Sequence, residues 1–505
     1  MNNSDPACIG IVGGGFSGTL VLANLVHQAT SRFAVELFEA YAPVNGGVAY
    51  GTPDVTHLLN VRADRMGAWA GQPGDFYRWL QTAQGKAQTA HLWPGRTVNE
   101  ASFVPRALYG AYLQQIFAET LVQAQAKGIT VRVNQATVID AILKQETQQL
   151  LLTVKAGETQ HIVAIDALVL ATGNVMPRRF AFEAGLHRCA HYYIPDVWRT
   201  PPDCLYPHQV AQLAPETAVM IIGTGLTMVD TVLTLQANGY RGTIYALSRH
   251  GWLPATHVPA KPYPAWALTT NPDQAPLTAL GLLKALRAEV KQAAALGYDW
   301  RSVIDSLRPV TQTLWQRLSV AEKRKFINKL LSLWNIHRHR MAPEICEQIT
   351  ALQRSGQLQM IAGQLYHLDP TQDGLEVVYR RRQGQHLETI QAALVLNCTG
   401  PEYDIAASDH RLLKNLRDRK LITVGPLRMG IESDAQVSAV GQAPGLIFPI
   451  GALLVGELLE CTAVPELREQ ARKVAGHLLK RVEQVKQRKE PVHEPTPVAF
   501  SNLSR

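Results

Sequence analysis

Residues 8–18 read Cys8-Ile9-Gly10-Ile11-Val12-Gly13-Gly14-Gly15-Phe16-Ser17-Gly18. A short apolar run leads into Gly13-x-Gly15-x-x-Gly18, and Leu20, Val21, Leu22, Leu25 and Val26 follow at the spacing of a buried helix. Strand, glycine turn and helix in that order form a dinucleotide fingerprint. One glycine makes the tight turn, one lets the backbone approach a pyrophosphate, and one lets helix and strand pack closely. The helix start then turns free N–H groups and a positive dipole end toward the phosphates. The motif alone is weak. Its support is the next apolar run, Ala34-Val-Glu-Leu-Phe-Glu39, whose acid lies 21 positions (39 − 18) after Gly18, where a carboxylate meets a free ribose diol.

The same plan recurs. Ala218-Val-Met-Ile-Ile-Gly223-Thr224-Gly225-Leu226-Thr227-Met228-Val-Asp230 matches the first stretch at a shift of 210, which carries Gly13 onto Gly223 and Gly15 onto Gly225. That shift carries Glu39 onto Arg249, at the end of Thr243-Ile-Tyr-Ala-Leu-Ser248-Arg249. An arginine beside a serine suits a 2′-phosphate, where an acid suits a diol. The expected cofactors are therefore FAD on Gly13, Gly15, Phe16, Ser17, Gly18, Glu39 and Ala40, and NADPH on Gly223, Gly225, Leu226, Thr227, Ser248 and Arg249. Met228 stands where the third glycine belongs, so helix and strand are expected to sit further apart in the second copy.

The repeat extends beyond the fingerprints. Residues 128–173 and 356–400 each alternate short apolar runs with polar turns and close on a buried strand ending Thr172-Gly173 or Thr399-Gly400. Glycine at that point lets the chain approach a bound dinucleotide. The expected fold class is α/β, with two Rossmann-like dinucleotide-binding domains, the second inserted in the first. The FAD domain would cover 1–205 and 394–505, and the NAD(P)H domain 206–393, with crossing linkers at 198–217 and 394–408. Residues 254–350 form a helical insertion in the second domain. It is Pro-rich at first, then helical over Leu280–Leu296, Val303–Leu318 and Ala321–Leu333. Such a layer serves as a cap over the site or as the interface of a homo-oligomer. Residues 490–505, Pro-rich and polar, read as a disordered tail.

Gly46-Gly-Val-Ala-Tyr-Gly51, His57-Leu-Leu-Asn60-Val-Arg62-Ala-Asp-Arg65-Met66, Phe103-Val-Pro-Arg106-Ala-Leu-Tyr109-Gly-Ala-Tyr112, Ser248-Arg-His-Gly-Trp-Leu-Pro254, Trp334-Asn-Ile-His-Arg-His-Arg340, Asn397-Cys-Thr-Gly-Pro401 and Glu460-Cys-Thr-Ala-Val-Pro-Glu-Leu-Arg468 complete the set of recognisable stretches. Through them, nearly the whole chain resembles the bacterial FAD/NAD(P)-binding proteins related to N-hydroxylating flavin monooxygenases. The resemblance implies a flavoprotein fold and FAD. It implies less about substrate, although relatives of understood chemistry hydroxylate amino acids such as aspartate or ornithine.

Composition fits an enzyme with several cores: 505 residues, 46% hydrophobic and 18% charged. The six cysteines are scattered, with no CxxC pair. That pattern points to a reducing compartment and away from disulfide reduction. An apolar run at Leu446–Val455 is too short to cross a bilayer. The reading is cytoplasmic, with no membrane partner. Net charge is +8, with basic clusters at Lys323-Arg324-Lys325, His337–Arg340 and Arg380-Arg381-Arg382. The first and third read as solvated surface. A positive field serves a protein that binds two dinucleotides and an acidic substrate, and nucleic acid is not favoured.

In a flavoprotein the cofactor does the redox work, so few obligatory catalytic side chains are expected. His57 and Asn60 are placed to reach the flavin edge, with Val61 beside them. Arg62, Arg65 and Arg106 can clamp FAD phosphates or a substrate carboxylate. Each of them alone is equally at home in a surface ion pair. Thr172, Gly173, Gly400 and Gly451 mark strand ends that approach the cofactors, with Ala452 where many two-dinucleotide flavoproteins carry an Asp. His337, Arg338, His339 and Arg340 are the sharpest signal outside the fingerprints. They suit a carboxylate, the NADPH phosphates or proton relay, and equally a solvated helix end. No spacing fits a metal. Cys398 reads as a buried apolar residue. The expected function is a FAD-dependent, NADPH-preferring monooxygenase taking molecular oxygen and a small polar amine or amino acid. The alternatives are an NAD(P)H:acceptor reductase or oxidase without oxygen insertion, and a flavoprotein acting on tRNA or a protein partner.

Overall fold

The computed structural model describes residues 6–40, 46–186, 191–200, 204–434 and 437–489. The expected tail at 490–505 lies outside them. In chain order the first domain supplies β1 (Cys8–Val12), α1 (Phe16–Gln28), β2 (Ala34–Glu39), α2 (Gly47–Tyr50), α3 (Asp75–Gln81), α4 (Ala83–Leu92), α5 (Arg106–Ala126), β3 (Thr130–Gln135), β4 (Thr137–Lys144), β5 (Gln149–Ala156), β6 (Thr159–Ile165) and β7 (Ala167–Leu170). The second begins with β8 (Tyr193–Ile194), β9 (Ala218–Ile222), α6 (Leu226–Ala237) and β10 (Thr243–Ser248). The insertion follows as α7 (Ala267–Thr270), α8 (Ala279–Ala295), α9 (Trp300–Ser306), α10 (Thr311–Arg317), α11 (Val320–Lys329) and α12 (Leu331–Arg338). After it come α13 (Pro343–Arg354), β11 (Leu358–Thr371), β12 (Gly374–Arg381), β13 (Glu388–Ala392) and β14 (Leu394–Asn397). The chain returns to the first domain with α14 (Arg411–Asp418), β15 (Ile447–Pro449) and α15 (Val464–Lys489).

Continuous apolar strands need cover on both faces, which parallel sheets provide. The first sheet runs β15-β7-β1-β2-β3, all parallel, with Cys8 opposite Ala34 and Ile9 opposite Ala167. Helices α1, α5 and α15 bury Leu20, Leu25, Leu113 and Leu478 against one face. The antiparallel meander β4-β5-β6 closes the other through Leu150, Leu152 and Val154. The second sheet, β13-β12-β11-β10-β9-β14-β8, repeats the parallel core and then runs on into an antiparallel arm. The 210-residue shift carries β1 onto β9 residue for residue, since Cys8–Val12 maps to Ala218–Ile222.

Two expectations need correction. Leu394–Asn397 pairs with β9 and Tyr193–Ile194 pairs with it in turn, so both strands belong to the second sheet. The crossings therefore lie before 193 and after 397, not at 205 and 394. The cause is that the strand ending in Thr-Gly pairs directly with the fingerprint strand in each half, β7 with β1 and β14 with β9. The single helices expected over 303–318 and 321–333 are both broken: Pro309 offers no N–H and interrupts the ladder between α9 and α10, and α11 ends at Lys329 before α12 starts at Leu331. Three of the inserted helices, α8, α9 and α11, start at side-chain caps, with Thr278, Asp299 and Ser319 accepting from Gly281, Arg301 and Glu322.

Candidate functional site: two nucleotide turns on one cavity

At the first turn, Gly13 has φ +102°, and a Cβ there would stand 2.2 Å from the Ala171 carbonyl oxygen. A Cβ on Gly18 would stand 1.9 Å from the Gly13 oxygen, so the third glycine is what lets α1 start against the turn. Gly15 caps α1 without a side chain, and no acid lies in the first turn. The first-turn N–H groups of Phe16 and Ser17 are thus left for a ligand. Glu39, at the end of β2, accepts from the Gly14 amide at 2.7 Å and lines the same space. Thr172 Oγ1 is buried with no hydrogen-bond partner among the described residues, beside Gly173 at the mouth of β7. A buried orphan hydroxyl on the residue that shares a cavity wall with an uncapped helix start fits a phosphate-bearing group.

The second turn is built alike. Gly223 has φ +111°, a Cβ on it would meet the Cys398 carbonyl oxygen at 2.3 Å, and Gly225 caps α6 with no side chain. Gly223 N donates to Leu247 O at 2.8 Å, as Gly13 N does to Phe38 O. Met228 is fully buried in the second core, and the turn keeps its shape without the third glycine. Thr224 Oγ1 donates to Trp252 O at 2.6 Å and pairs with Ser248 Oγ at 2.8 Å, so Ser248 holds the turn to β10.

One cavity of about 1900 Å³ takes in the starts of both helices. It runs past Gly13, Gly15, Glu39, Ala40 and Ala136, along Thr172 and Gly173, to Gly451, Thr462 and Leu467, and across to Leu226 and Thr227. That is about twice the volume that encloses a drug-sized ligand.

Between the two turns lies a polar bridge. Arg106, first residue of α5, meets Asp230 of α6 at 2.7 Å, both side chains largely buried. Its Nε also donates to Leu58 O at 3.3 Å, and the guanidinium lies 5.7 Å over the Trp198 ring. Burial pushes the Asp230 carboxyl above its ordinary range, with Arg106 pulling it back. His57 Nε2 lies 2.8 Å from Thr234 Oγ1, and its Nδ1 lies 3.0 Å from Thr52 Oγ1. Thr234 donates its only proton to Asp54 Oδ2 at 3.1 Å, so it accepts from His57 Nε2–H, and Nδ1 accepts from Thr52. Burial raises the Asp54 carboxyl, but hydrogen bonds from Thr56 and Thr234 bring it below the usual range overall.

These contacts change how several expected residues read. His57 lines the cavity, with Nε2 on Thr234 of α6 and Nδ1 on Thr52 of its own loop. Arg106 lines it too, with its charge committed to Asp230. Asn60 offers its carbonyl to His257 Nε2 at 3.0 Å, Val61 packs on the first core, and Arg62 pairs with Asp64 at 2.7 Å on the surface. Asn60, Val61 and Arg62 are not on the cavity wall, and neither are Gly18, Gly400, Gly223, Gly225, Ser248 and Arg249.

His337–Arg340 lies outside the cavity as well. Arg338 pairs with Glu460 at 3.0 Å, beside Trp334 Nε1 on the same carboxylate at 2.8 Å. Arg340 pairs with Asp305, and His337 Nδ1 lies 2.8 Å from Leu333 O. Burial, then Arg338, brings the His339 imidazole down to about 4. Arg338, with Arg308 bidentate on Glu466 at 2.7 Å, forms a seam that fastens the helical layer to Glu460 and to the first turn of α15, while His337 and Arg340 bond within the layer. The two guanidiniums of the run, largely buried at the end of α12, require partners, and Glu460 and Asp305 supply them. Cys398 is buried, and burial pushes its thiol up to about 12.

Asp230, Thr234 and Trp198 are the wall residues that motif reading passes over. A signal for two of them exists. Leu226, Asp230, Thr234 and Asn238 recur at helical spacing on an otherwise apolar helix, and all four line the cavity.

Residues 10–175 match the FAD-NAD(P)-binding family. The chain has a FAD-NAD(P)-binding fold. Over 95% of its length it superposes on all of the reduced ornithine hydroxylase of Pseudomonas aeruginosa, at TM-score 0.64 and 15% identity. The ornithine N-hydroxylase of Kutzneria sp. 744, solved with reduced FAD, NADP+ and L-ornithine, aligns over 96% of this chain and 100% of its own, at 0.61 and 14%. A FAD-bound cadaverine monooxygenase of the desferrioxamine pathway from Erwinia amylovora aligns over the full length of both chains, at 0.61 and 14%. No curated protein is similar in sequence. Among the described residues no helix is long and apolar enough to cross a membrane, and no group of His, Cys, Asp or Glu could hold a metal ion.

Proposed function

We propose that the protein is a FAD-dependent, NADPH-oxidising monooxygenase that hydroxylates the nitrogen of a small polar amine or amino acid. The observation that carries this is the shared cavity: two uncapped helix starts, 210 residues apart in sequence, open on one chamber. The solved structures of like fold that hydroxylate amines support the choice of reaction. FAD would lie along Gly13, Gly15, Phe16 and Ser17 with Glu39 at its ribose, Thr172 and Gly173 beside its phosphates and Gly451 further along. NADPH would lie on Gly225, Leu226 and Thr227, with Arg249 at its 2′-phosphate. The bound flavin supplies hydride acceptance and oxygen activation.

The chain's own part is to bind and orient. The backbone N–H groups of α1 and α6 neutralise the two pyrophosphates without a cationic side chain. The Arg106–Asp230 and His57–Thr234 contacts hold α6 at a fixed height over the first domain. The helical layer is fastened through Arg308–Glu466 and Arg338–Glu460 to the chain on either side of Thr462, which lines the cavity. The balance is NADPH, a proton, dioxygen and R–NH₂ to NADP+, water and R–NHOH.

The test measures NADPH consumption, peroxide and hydroxylated product together over a panel of amino acids and diamines with the purified yellow protein. A substrate that raises NADPH consumption and diverts the electrons from peroxide to product is expected. If peroxide, or an added electron acceptor, takes all the electrons with every amine, the reaction is that of an oxidase or reductase and the proposal fails.

A further inference from the structure

The arginine run 380–382 lies far in sequence from either fingerprint, but the sheet carries its last member to the second nucleotide site. Ser248, the last residue of β10, is in register with Ala362 of β11. Arg382 N donates to that same Ala362 carbonyl at 2.8 Å. Arg382 therefore emerges one strand away from Arg249, at the end of the strand where a dinucleotide's ribose is read. Its Nη1 lies 2.7 Å from His250 Nδ1, and the His250 ring stacks on Trp252 at 4.2 Å and 16°. Arg249 touches Ser332 Oγ at 3.3 Å. Neither arginine has a carboxylate partner among the described residues, although Arg381 between them in sequence is paired with Glu388. Two exposed guanidiniums and a flat aromatic stack thus meet beside the loop that Thr224 ties to the fingerprint turn.

We propose that Arg382, together with Arg249 and the His250–Trp252 stack, forms the subsite for an adenosine 2′-phosphate, with Arg382 as the residue that separates phosphate-bearing from phosphate-free dinucleotides. The inference rests on the NADPH reading above and adds to it a second cation from the antiparallel arm and an aromatic face for the base. The geometry divides the labour. A 2′-phosphate carries close to two charges and offers oxygens to two guanidiniums at once. The stacked rings present a π-face that any adenosine can use, with or without that phosphate. After burial, the same two arginines lower the His250 imidazole, so the pocket is electropositive before any ligand arrives.

The experiment titrates the FAD-loaded protein with 2′,5′-ADP and with 5′-AMP, which differ only in the 2′-phosphate, by calorimetry. The wild type is expected to bind 2′,5′-ADP at least tenfold more tightly. Arg382→Ala is expected to lose about tenfold for 2′,5′-ADP, the worth of one charge-assisted hydrogen bond, and to leave 5′-AMP unchanged. Arg382→Lys should recover part of the loss. Trp252→Leu should weaken both ligands alike, and Arg380→Ala, whose side chain lies over Tyr366, should change neither. If the wild type does not distinguish the two ligands, the NADPH reading itself falls and this subsite with it. If the wild type distinguishes them and Arg382→Ala still does so to the same extent, the NADPH reading stands and the role of Arg382 is refuted.

Discussion

The Arg106–Asp230 pair is the most exposed point of the argument that α6 is held at a fixed height, because it is a buried ion pair joining the two domains. The side chains are 15% and 9% exposed at 2.7 Å, so solvent screens them little. Removing one partner of such a pair costs about 3–5 kcal/mol, because the other is left buried and uncompensated. Arg106→Ala also loses the contact with the Leu58 carbonyl and the Trp198 face, and so belongs at the upper end. Asp230→Asn keeps a hydrogen-bond acceptor and belongs below it. Unfolding of the FAD-loaded protein in urea, followed by flavin release, gives each single cost. The double variant gives the coupling, expected at about 2 kcal/mol or more. A pH term follows. Burial already raises the Asp230 carboxyl, and losing Arg106 raises it further. A carboxyl whose folded pKa lies above its unfolded value is stabilising at low pH, and that contribution is lost as pH rises through the folded value. The Arg106→Ala defect should therefore grow from acidic to neutral pH, and Asp230→Asn should abolish the growth. Costs that add within about 0.5 kcal/mol, or a defect that ignores pH, would refute the coupling.

Gly18→Ala should yield protein with little or no bound flavin, read as absorbance near 450 nm per chain, because its Cβ would sit 1.9 Å from the Gly13 oxygen; full flavin content would break the link between that contact and the FAD site. Arg249→Ala should lower kcat/KM for NADPH by at least tenfold while changing NADH little, and equal losses would remove Arg249 from the 2′-phosphate. His257 and His339 are both brought down to about 4, in each case by burial first and then by a neighbouring arginine. Their folded pKa values lie below the unfolded one, so each contributes stability that is lost as pH falls from about 6.5 toward 4, with a slope of about 1.4 kcal/mol per pH unit. Urea midpoints across that window in His257→Gln and His339→Gln should show each slope removed in turn. Glu460→Gln should loosen the helical layer without emptying the FAD site, seen as faster proteolysis within 254–350 at unchanged flavin content; unchanged proteolysis would show that the seam does not hold the layer.

The two turns, their strands and their helices were legible because each depends on local rules: apolar runs with two covered faces, glycines where a Cβ cannot fit, and a repeat at a constant shift. Glu39, Thr172 and Gly451 followed from position on those strands, and the structure brings them to one wall. Side chains whose role depends on a distant partner were not legible. Arg106 reads as a phosphate clamp until Asp230, 124 residues on, takes its charge. His337–Arg340 reads as a site until Asp305 and Glu460 appear beside it. Sequence spacing reports what lies on one element, whereas ion pairing is decided by which elements meet. The domain boundary at 394 separated the strand at 394–397 from its own sheet, although the matched repeat 356–400 already placed that strand in the second half.

The two halves diverge at one structural choice, which suits the two turns to the two different nucleotides proposed for them. In the first half the chain breaks between β3 and β4: Ala136 N bonds back to Glu39 O at 3.1 Å, and Ala136, Thr137 and Val138 form part of the cavity wall. Small neutral side chains and a carboxylate there leave room for an unphosphorylated adenosine. In the second half β11 does not break. It runs for 14 residues from the parallel core into the antiparallel arm, with only a register shift between Leu365 and His367. An unbroken strand keeps its partners in register, so β12 delivers Arg382 beside Ala362 and hence beside the end of β10. Had the second half broken as the first does, the arm would have formed a separate sheet and Arg382 would not be held in register beside Ala362. On the proposed function, the exchange of Glu39 for Arg249 and the continuity of β11 would act together: the first removes a charge that would repel a phosphate, and the second brings in a charge that would hold it.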